Sequence, residues 1–197
     1  MNVTDFSENV RTLLSQYLAP GLVGVRGSIA KGTFDEWSDV DIEAGVQRPL
    51  DNSLFSGLEE LLHRAHGPAL VRYDPDYRNM TTAQHVRFSF YELPVFWRVD
   101  LLITSKLDTG RKYPDPFPHW AVGSSALMNV IWALKYHLRG RGDEADRYLK
   151  AACEKIGHEP MRFGRDTSAL ILSKLEYRED VDAVLLSKTR QSVAEAA

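Results

Sequence analysis

Two kinds of periodicity divide this chain, and the change between them restricts the fold more than any single residue does. Up to about Thr104, short apolar runs of strand type alternate with helical segments; beyond Ser124 the spacing is helical only. The segment Lys112 to His119, KYPDPFPH, carries three prolines and no periodicity, and reads as a linker. The pattern predicts an α+β fold: a mixed-sheet domain over 1–110 followed by an all-helical domain over 111–197.

In the first part, Asp5 to Leu18 reads as an amphipathic helix, capped by Thr4 and ended by Pro20-Gly21. Leu22 to Val25 reads as a short buried strand running into Arg26-Gly27-Ser28, with a helical turn over Ile29 to Phe34. Val40 to Val46 is expected as a second strand. Leu54 to His66 is expected as a helix capped by Asn52 or Ser53 and stopped by Gly67-Pro68. A third strand is expected at Ala69 to Tyr73, and a loop at Asp74 to Thr82. His85 to Glu92 and Val95 to Thr104 are expected as an antiparallel pair joined by a short turn at Leu93-Pro94. In the second part, helices are expected over Ala126 to Leu138, Asp143 to about Ile156, Thr167 to Tyr177 and Asp180 to Lys188. The tail QSVAEAA is expected to fray.

Charge and cysteine usage narrow the function. The 197 residues carry a net charge of −3. That lacks the basic excess of a non-specific nucleic-acid binder and suits a neutral or cationic small acceptor. The lone Cys153, in a helical stretch, excludes an internal disulfide and a cysteine-rich zinc site, and is expected to be a buried or half-buried thiol. The six histidines are scattered without zinc-helix spacing. No run approaches the ~18 apolar residues of a membrane span. The start lacks the basic-then-apolar order of a secretory signal, so the cytoplasm is the expected location.

Chemistry concentrates in Gly24 to Gly45, GVRGSIAKGTFDEWSDVDIEAG. A strand ending in Gly27-Ser28 offers backbone N–H groups and a hydroxyl to phosphate oxygens, with Arg26 and Lys31 adding positive charge. Asp39 and Asp41 flank Val40 on the expected second strand, so their carboxylates share a face and call for a counter-charge such as Mg²⁺. The alternative is a solvated acidic face. Asp100 lies in the apolar run FWRVDLLIT, where a charge needs an ion partner or a metal. Arg98 shares its face, and a structural Arg98–Asp100 ion pair is the alternative there.

The combination resembles the signature of the DNA polymerase beta-like nucleotidyltransferase superfamily. Gly27-Ser28 is followed after residues 29–38 by Asp39-Val40-Asp41. The longer pattern Gly27-Ser28-Ile29-Ala30-Lys31-Gly32 with Ser38-Asp39-Val40-Asp41 looks like the bacterial small-molecule, aminoglycoside and lincosamide branch. Lys31 stands where that branch has arginine, keeping charge but losing bidentate geometry. The resemblance implies transfer of a nucleoside monophosphate, AMP from ATP, to a hydroxyl of a small acceptor, as in antibiotic modification. It implies two Mg²⁺ held by Asp39, Asp41 and Asp100, with nucleotide contacts from Gly27, Ser28, Lys31 and Ser38. Asp100 is the first candidate general base and Glu43 the second. The helices would supply acceptor contacts, with Trp132, Lys135, Tyr136 and Arg139 as candidates beside a core-packing alternative. A homodimer is compatible with it. Competing readings are an antitoxin-type protein adenylyltransferase, a non-catalytic nucleotide binder on the same fold, and RNA tailing, which the acidic balance disfavours.

Overall fold

The computed structural model describes residues 1–18, 22–77, 79–108, 110 and 121–196. The chain divides into two compact units, Met1–His119 and Trp120–Ala197. The fold is α+β: the described residues form a five-stranded mixed sheet and seven helices. Pro20-Gly21 and the KYPDPFPH linker lie outside the described residues.

In the first unit, the elements run α1 (Val3–Leu18), β1 (Val23–Val25), α2 (Gly27–Ala30), β2 (Val40–Val46), α3 (Asn52–His66), β3 (Ala69–Tyr73), β4 (Ala83–Phe90) and β5 (Arg98–Ser105). Across the sheet the order is β1-β2-β5-β4-β3. β2 and β5 are parallel, whereas β1 with β2, β3 with β4 and β4 with β5 are antiparallel. The intervening α3, β3 and β4 form the long crossover that a parallel pair requires.

Alternation along the strands gives the sheet one apolar and one polar face. Val40, Ile42, Ala44 and Val46 of β2, Val99, Leu101 and Ile103 of β5, and Val86, Phe88 and Phe90 of β4 are buried. They form one cluster with Phe6, Val10 and Leu14 of α1 and Leu54, Leu58 and Leu62 of α3. Each such side chain contributes about 1.5–3 kcal/mol on burial. The polar face carries Asp41, Glu43 and Gly45 of β2, Arg98, Asp100, Leu102 and Thr104 of β5, His85 and Arg87 of β4, and Arg72 of β3.

Several boundaries differ from expectation. The α3 cap is Asp51, whose carboxylate accepts from the Leu54 N–H at 2.8 Å; the expected Asn52 and Ser53 lie inside the helix. A carboxylate at this position also complements the positive helix end. Asp51→Ala is therefore expected to cost about 1 kcal/mol, read as a lowered urea midpoint. β4 ends at Phe90 and β5 starts at Arg98, so the expected short turn is a longer loop in which the Trp97 N–H closes back on the Pro94 carbonyl at 2.9 Å. The expected loop at 74–82 contains a 3-10 turn, Pro75–Tyr77.

In the second unit, α4 (Val122–Leu138) packs with α5 (Gly142–Lys155), α6 (Arg165–Leu175) and α7 (Ala183–Glu195). The expected frayed tail is helical to Glu195, because Leu185, Leu186, Thr189 and Val193 recur on one buried stripe. Trp132, Tyr136 and Tyr148 stack with centroids 5.3–6.1 Å apart. Lys135 is buried, its Nζ 4.5 Å over the Trp132 ring. Cys153 is fully buried, and burial pushes its thiol pKa up. Among the described residues, no helix is long and apolar enough to cross a membrane.

Candidate functional site

The register of the sheet brings the dispersed acidic residues together. Asp41 and Asp100 are register partners on the parallel β2 and β5, so both side chains stand on the polar face. Asp39 lies one residue ahead of β2, which starts at Val40. It still reaches the same place: Arg98 donates from Nη2 to Asp39 Oδ2 at 3.3 Å. Arg98 also grips Asp100 with two bonds, Nε to Oδ1 at 2.7 Å and Nη2 to Oδ2 at 2.8 Å. Arg98 and Asp100 are 6% and 7% exposed, so water screens them little. The ion pair foreseen as the alternative for Asp100 is thus present.

The titration behaviour follows from these contacts. Burial works to raise the Asp100 pKa, but the Arg98 guanidinium outweighs it, aided by Arg87 and His85, and holds the carboxyl below its ordinary value. Burial works against the Arg98 charge, and Asp100 and Asp39 together raise its pKa regardless.

The Gly27-Ser28 turn lies against Asp41. A Cβ built on Gly27 would stand 2.0 Å from Asp41 Oδ2, and Gly27 has a φ of +67°. Only glycine meets both conditions, since a side chain is strained in that region and would also collide with the carboxylate. The Arg26 N–H donates to the Asp41 carbonyl at 2.9 Å, fixing the turn to the start of β2. Gly27→Ala is expected to cost about 1–3 kcal/mol in backbone strain and to displace Asp41, read by denaturant unfolding beside nucleotide binding.

Ser28 Oγ donates to Ser38 Oγ at 3.3 Å. Ser38 is fully buried; its hydroxyl donates to Asp35 Oδ1 at 2.9 Å and accepts from the Asp35 N–H at 3.0 Å. Ser38 therefore ties the loop after α2 to the segment leading into Asp39. Lys31, just after α2, is exposed. Glu43 is exposed on the same face as Asp41, 3.9 Å from Arg26. Trp132, Lys135, Tyr136 and Arg139 lie on or directly after α4, in the other unit.

Sequence reading missed the basic side of this face. Arg87 on β4 is the register partner of Asp100, and Arg72 on β3 is the register partner of Arg87. Arg87 donates to Asp74 Oδ2 at 2.6 Å and stands 3.6 Å from Asp100. His85 Nδ1 lies 3.3 Å from Asp74, and its ring meets Tyr77 edge-on. Burial, then the Arg87 charge, lower the His85 pKa. The available signal was alternation: His85 and Arg87 lie two apart in His85-Val86-Arg87-Phe88, whereas Arg72 follows Leu70-Val71 with no such partner in its strand.

The donor set matches Mg²⁺ in chemical type, since all three carboxylates are hard oxygen ligands on or beside neighbouring strands. Among the described residues, no three His, Cys, Asp or Glu side chains are gathered to hold a metal ion; Asp39 and Asp100 are turned onto Arg98. Protein-family models give no match to the chain, and curated proteins give none either.

Proposed function

We propose that the first unit is a Mg²⁺-dependent nucleotidyltransferase domain of the polymerase beta-like kind. In this reading it moves AMP from ATP to a hydroxyl of a small acceptor. The observation that carries the reading is the convergence of three segments distant in sequence: the Gly27-Ser28 turn lies against Asp41, and Asp41 is paired in register with Asp100. A purely structural ion pair would need Arg98 and Asp100 but no glycine turn packed on a neighbouring carboxylate.

Asp39, Asp41 and Asp100 would hold two Mg²⁺, which neutralise phosphate charge and lower the pKa of the attacking hydroxyl. Ser28 and the N–H groups of the turn orient the β- and γ-phosphates, with Ser38 holding Ser28 in place. Lys31 lends a charge that the triphosphate attracts. Arg98 holds the Asp100 pKa below its ordinary value and so favours the ionised carboxylate. The acceptor oxygen bonds to the α-phosphorus as the bond from that phosphorus to the bridging oxygen breaks. Pyrophosphate departs, and the hydroxyl proton passes to Asp100 and then to water.

The test uses ATP labelled at the α-phosphorus, Mg²⁺ and a panel of hydroxylated small molecules. Label is expected on an acceptor, with an equal amount of pyrophosphate released, and neither in excess EDTA. The reading fails if Mg²⁺-ATP does not bind, or if phosphate rather than pyrophosphate is released.

A further inference from the structure

We infer that a cleft on the polar face, over β1 and the carboxyl ends of β2 and β5, binds a short zwitterionic molecule of peptide type. Its ammonium group is assigned to Glu43 and its carboxylate to Lys106. The cleft has a volume of about 540 Å³, and both residues line it together with Leu22, Gly24 and Gly45. Small-molecule sites span about 300–1,000 Å³, so one compact ligand fills a space of this size. It opens one step along β2 from Asp41, since Asp41, Glu43 and Gly45 succeed one another on the same face.

The floor of the cleft is kept bare by a glycine that the fold does not require. Gly24 lies within β1 opposite Glu43, so a side chain there would project into the cleft. Its φ is not positive, and a Cβ built on it would meet nothing within 4 Å. Neither backbone conformation nor packing explains the residue, and glycine weakens a strand interior. A strand glycine of this kind marks a place where a ligand approaches the backbone closely. Gly45 differs, because a Cβ there would stand 3.1 Å from the Leu22 side chain. Leu22 therefore lies over Gly45 as an apolar wall, and it remains 50% exposed.

The charges at the two ends of the cleft are opposite. Glu43 pairs in register with Leu102, so Lys106 lies four residues farther along the chain, up to about 13 Å away when extended. Both side chains reach inward from those positions. The gap left between them suits two or three peptide residues, about 7–10 Å in extended form. Arg26 also faces Glu43, at 3.9 Å, with both side chains well exposed. An exposed pair at that distance is weak, so a ligand ammonium can displace it. Beyond β2, the Ser105 hydroxyl is bonded to the Arg48 and Leu107 carbonyls, which fixes the chain from which Lys106 projects.

The test titrates the ¹⁵N-labelled full chain with glycylserine and separately with N-acetylglycylserine amide, which has the same length and no end charges. Saturable shifts are expected at the amides of Gly24, Gly45 and Lys106. The blocked peptide is expected to bind roughly tenfold more weakly or worse, and Lys106→Gln is expected to weaken glycylserine by a similar factor. Gly24→Val is expected to fill the floor and remove binding, with an unfolding midpoint no lower than that of the wild type. The inference is overturned if glycylserine gives no saturable shifts at the cleft, or if the blocked peptide binds as tightly. It is equally overturned if Gly24→Val or Lys106→Gln binds glycylserine as the wild type does. Should Gly24→Val fail to fold, the glycine serves the fold and the argument from the bare floor is lost. No nucleotide or Mg²⁺ is present, so failure here leaves the transfer reading standing, and failure of Mg²⁺-ATP to bind leaves this inference standing.

Discussion

Asp41→Asn is expected to abolish nucleotidyl transfer, by roughly a thousandfold or more, while the protein stays folded. Asparagine keeps the shape of the side chain and one acceptor oxygen, so the turn at Gly27 can still close against it. What is lost is the negative charge that would hold a divalent cation. Folding should survive because the buried guanidinium of Arg98 keeps its hydrogen bonds to Asp100 and Asp39. Asp100→Asn is a poorer probe, since it weakens the two-bond partner of a buried cation and confounds activity with stability. Asp39→Asn lies between them, losing one 3.3 Å bond. The measurement is labelled transfer at saturating Mg²⁺-ATP, with thermal unfolding on the same samples. Wild-type rates in both Asp41→Asn and Asp39→Asn would take these carboxylates out of the chemistry.

The second large effect belongs to stability. Arg98→Met is expected to destabilise the first unit by about 3–5 kcal/mol at pH 7, because it strands Asp100 and Asp39 in a poorly hydrated place. The pH dependence has a definite sign. In the wild type, Arg98 holds the Asp100 pKa below its unfolded value. That contribution is complete above the unfolded carboxylate range and is lost as pH falls through the folded pKa. Without Arg98 the balance shifts toward desolvation, which raises the Asp100 pKa. The variant then recovers stability as acid protonates the carboxyl. The gap between the two proteins should therefore be widest near neutral pH and narrow as the pH drops below about 5. Urea unfolding across that range reads it directly. A gap that stays constant with pH would mean the Arg98 contribution is packing alone. Adding Asp100→Leu to Arg98→Met should return much of the loss, since a well-packed apolar pair substitutes for a buried ion pair.

Much of the fold could be read from local pattern. β2 was expected at the residues where it is found, as was β3, and α3 differed only at its start. The cap was misjudged because Asp51, Asn52 and Ser53 are all good capping residues, and the choice among them depends on where the preceding chain leaves β2. The tail was misjudged because a terminal segment whose one large apolar residue is Val193 looks solvated until that side chain is seen to be buried. For the site, the pairing of Arg98 with Asp100 was visible as an i, i+2 relation within one strand. Arg87 and Arg72 were not, since nothing in their own strands says which neighbour they will face.

Within a strand, side chains alternate with a period of two, so the sequence alone determined that Arg98 and Asp100 share a face, that Val99 and Leu101 turn the other way, and that Gly27 can take a conformation other residues resist. It carried no instruction for aligning β2 with β5, whose paired aspartates are separated by a helix and two strands. That alignment, and with it the row from Arg72 to Asp41, was decided by the tertiary structure: burying the apolar face on α1 and α3 selects a register, and a slip of one residue would turn either carboxylate into the core.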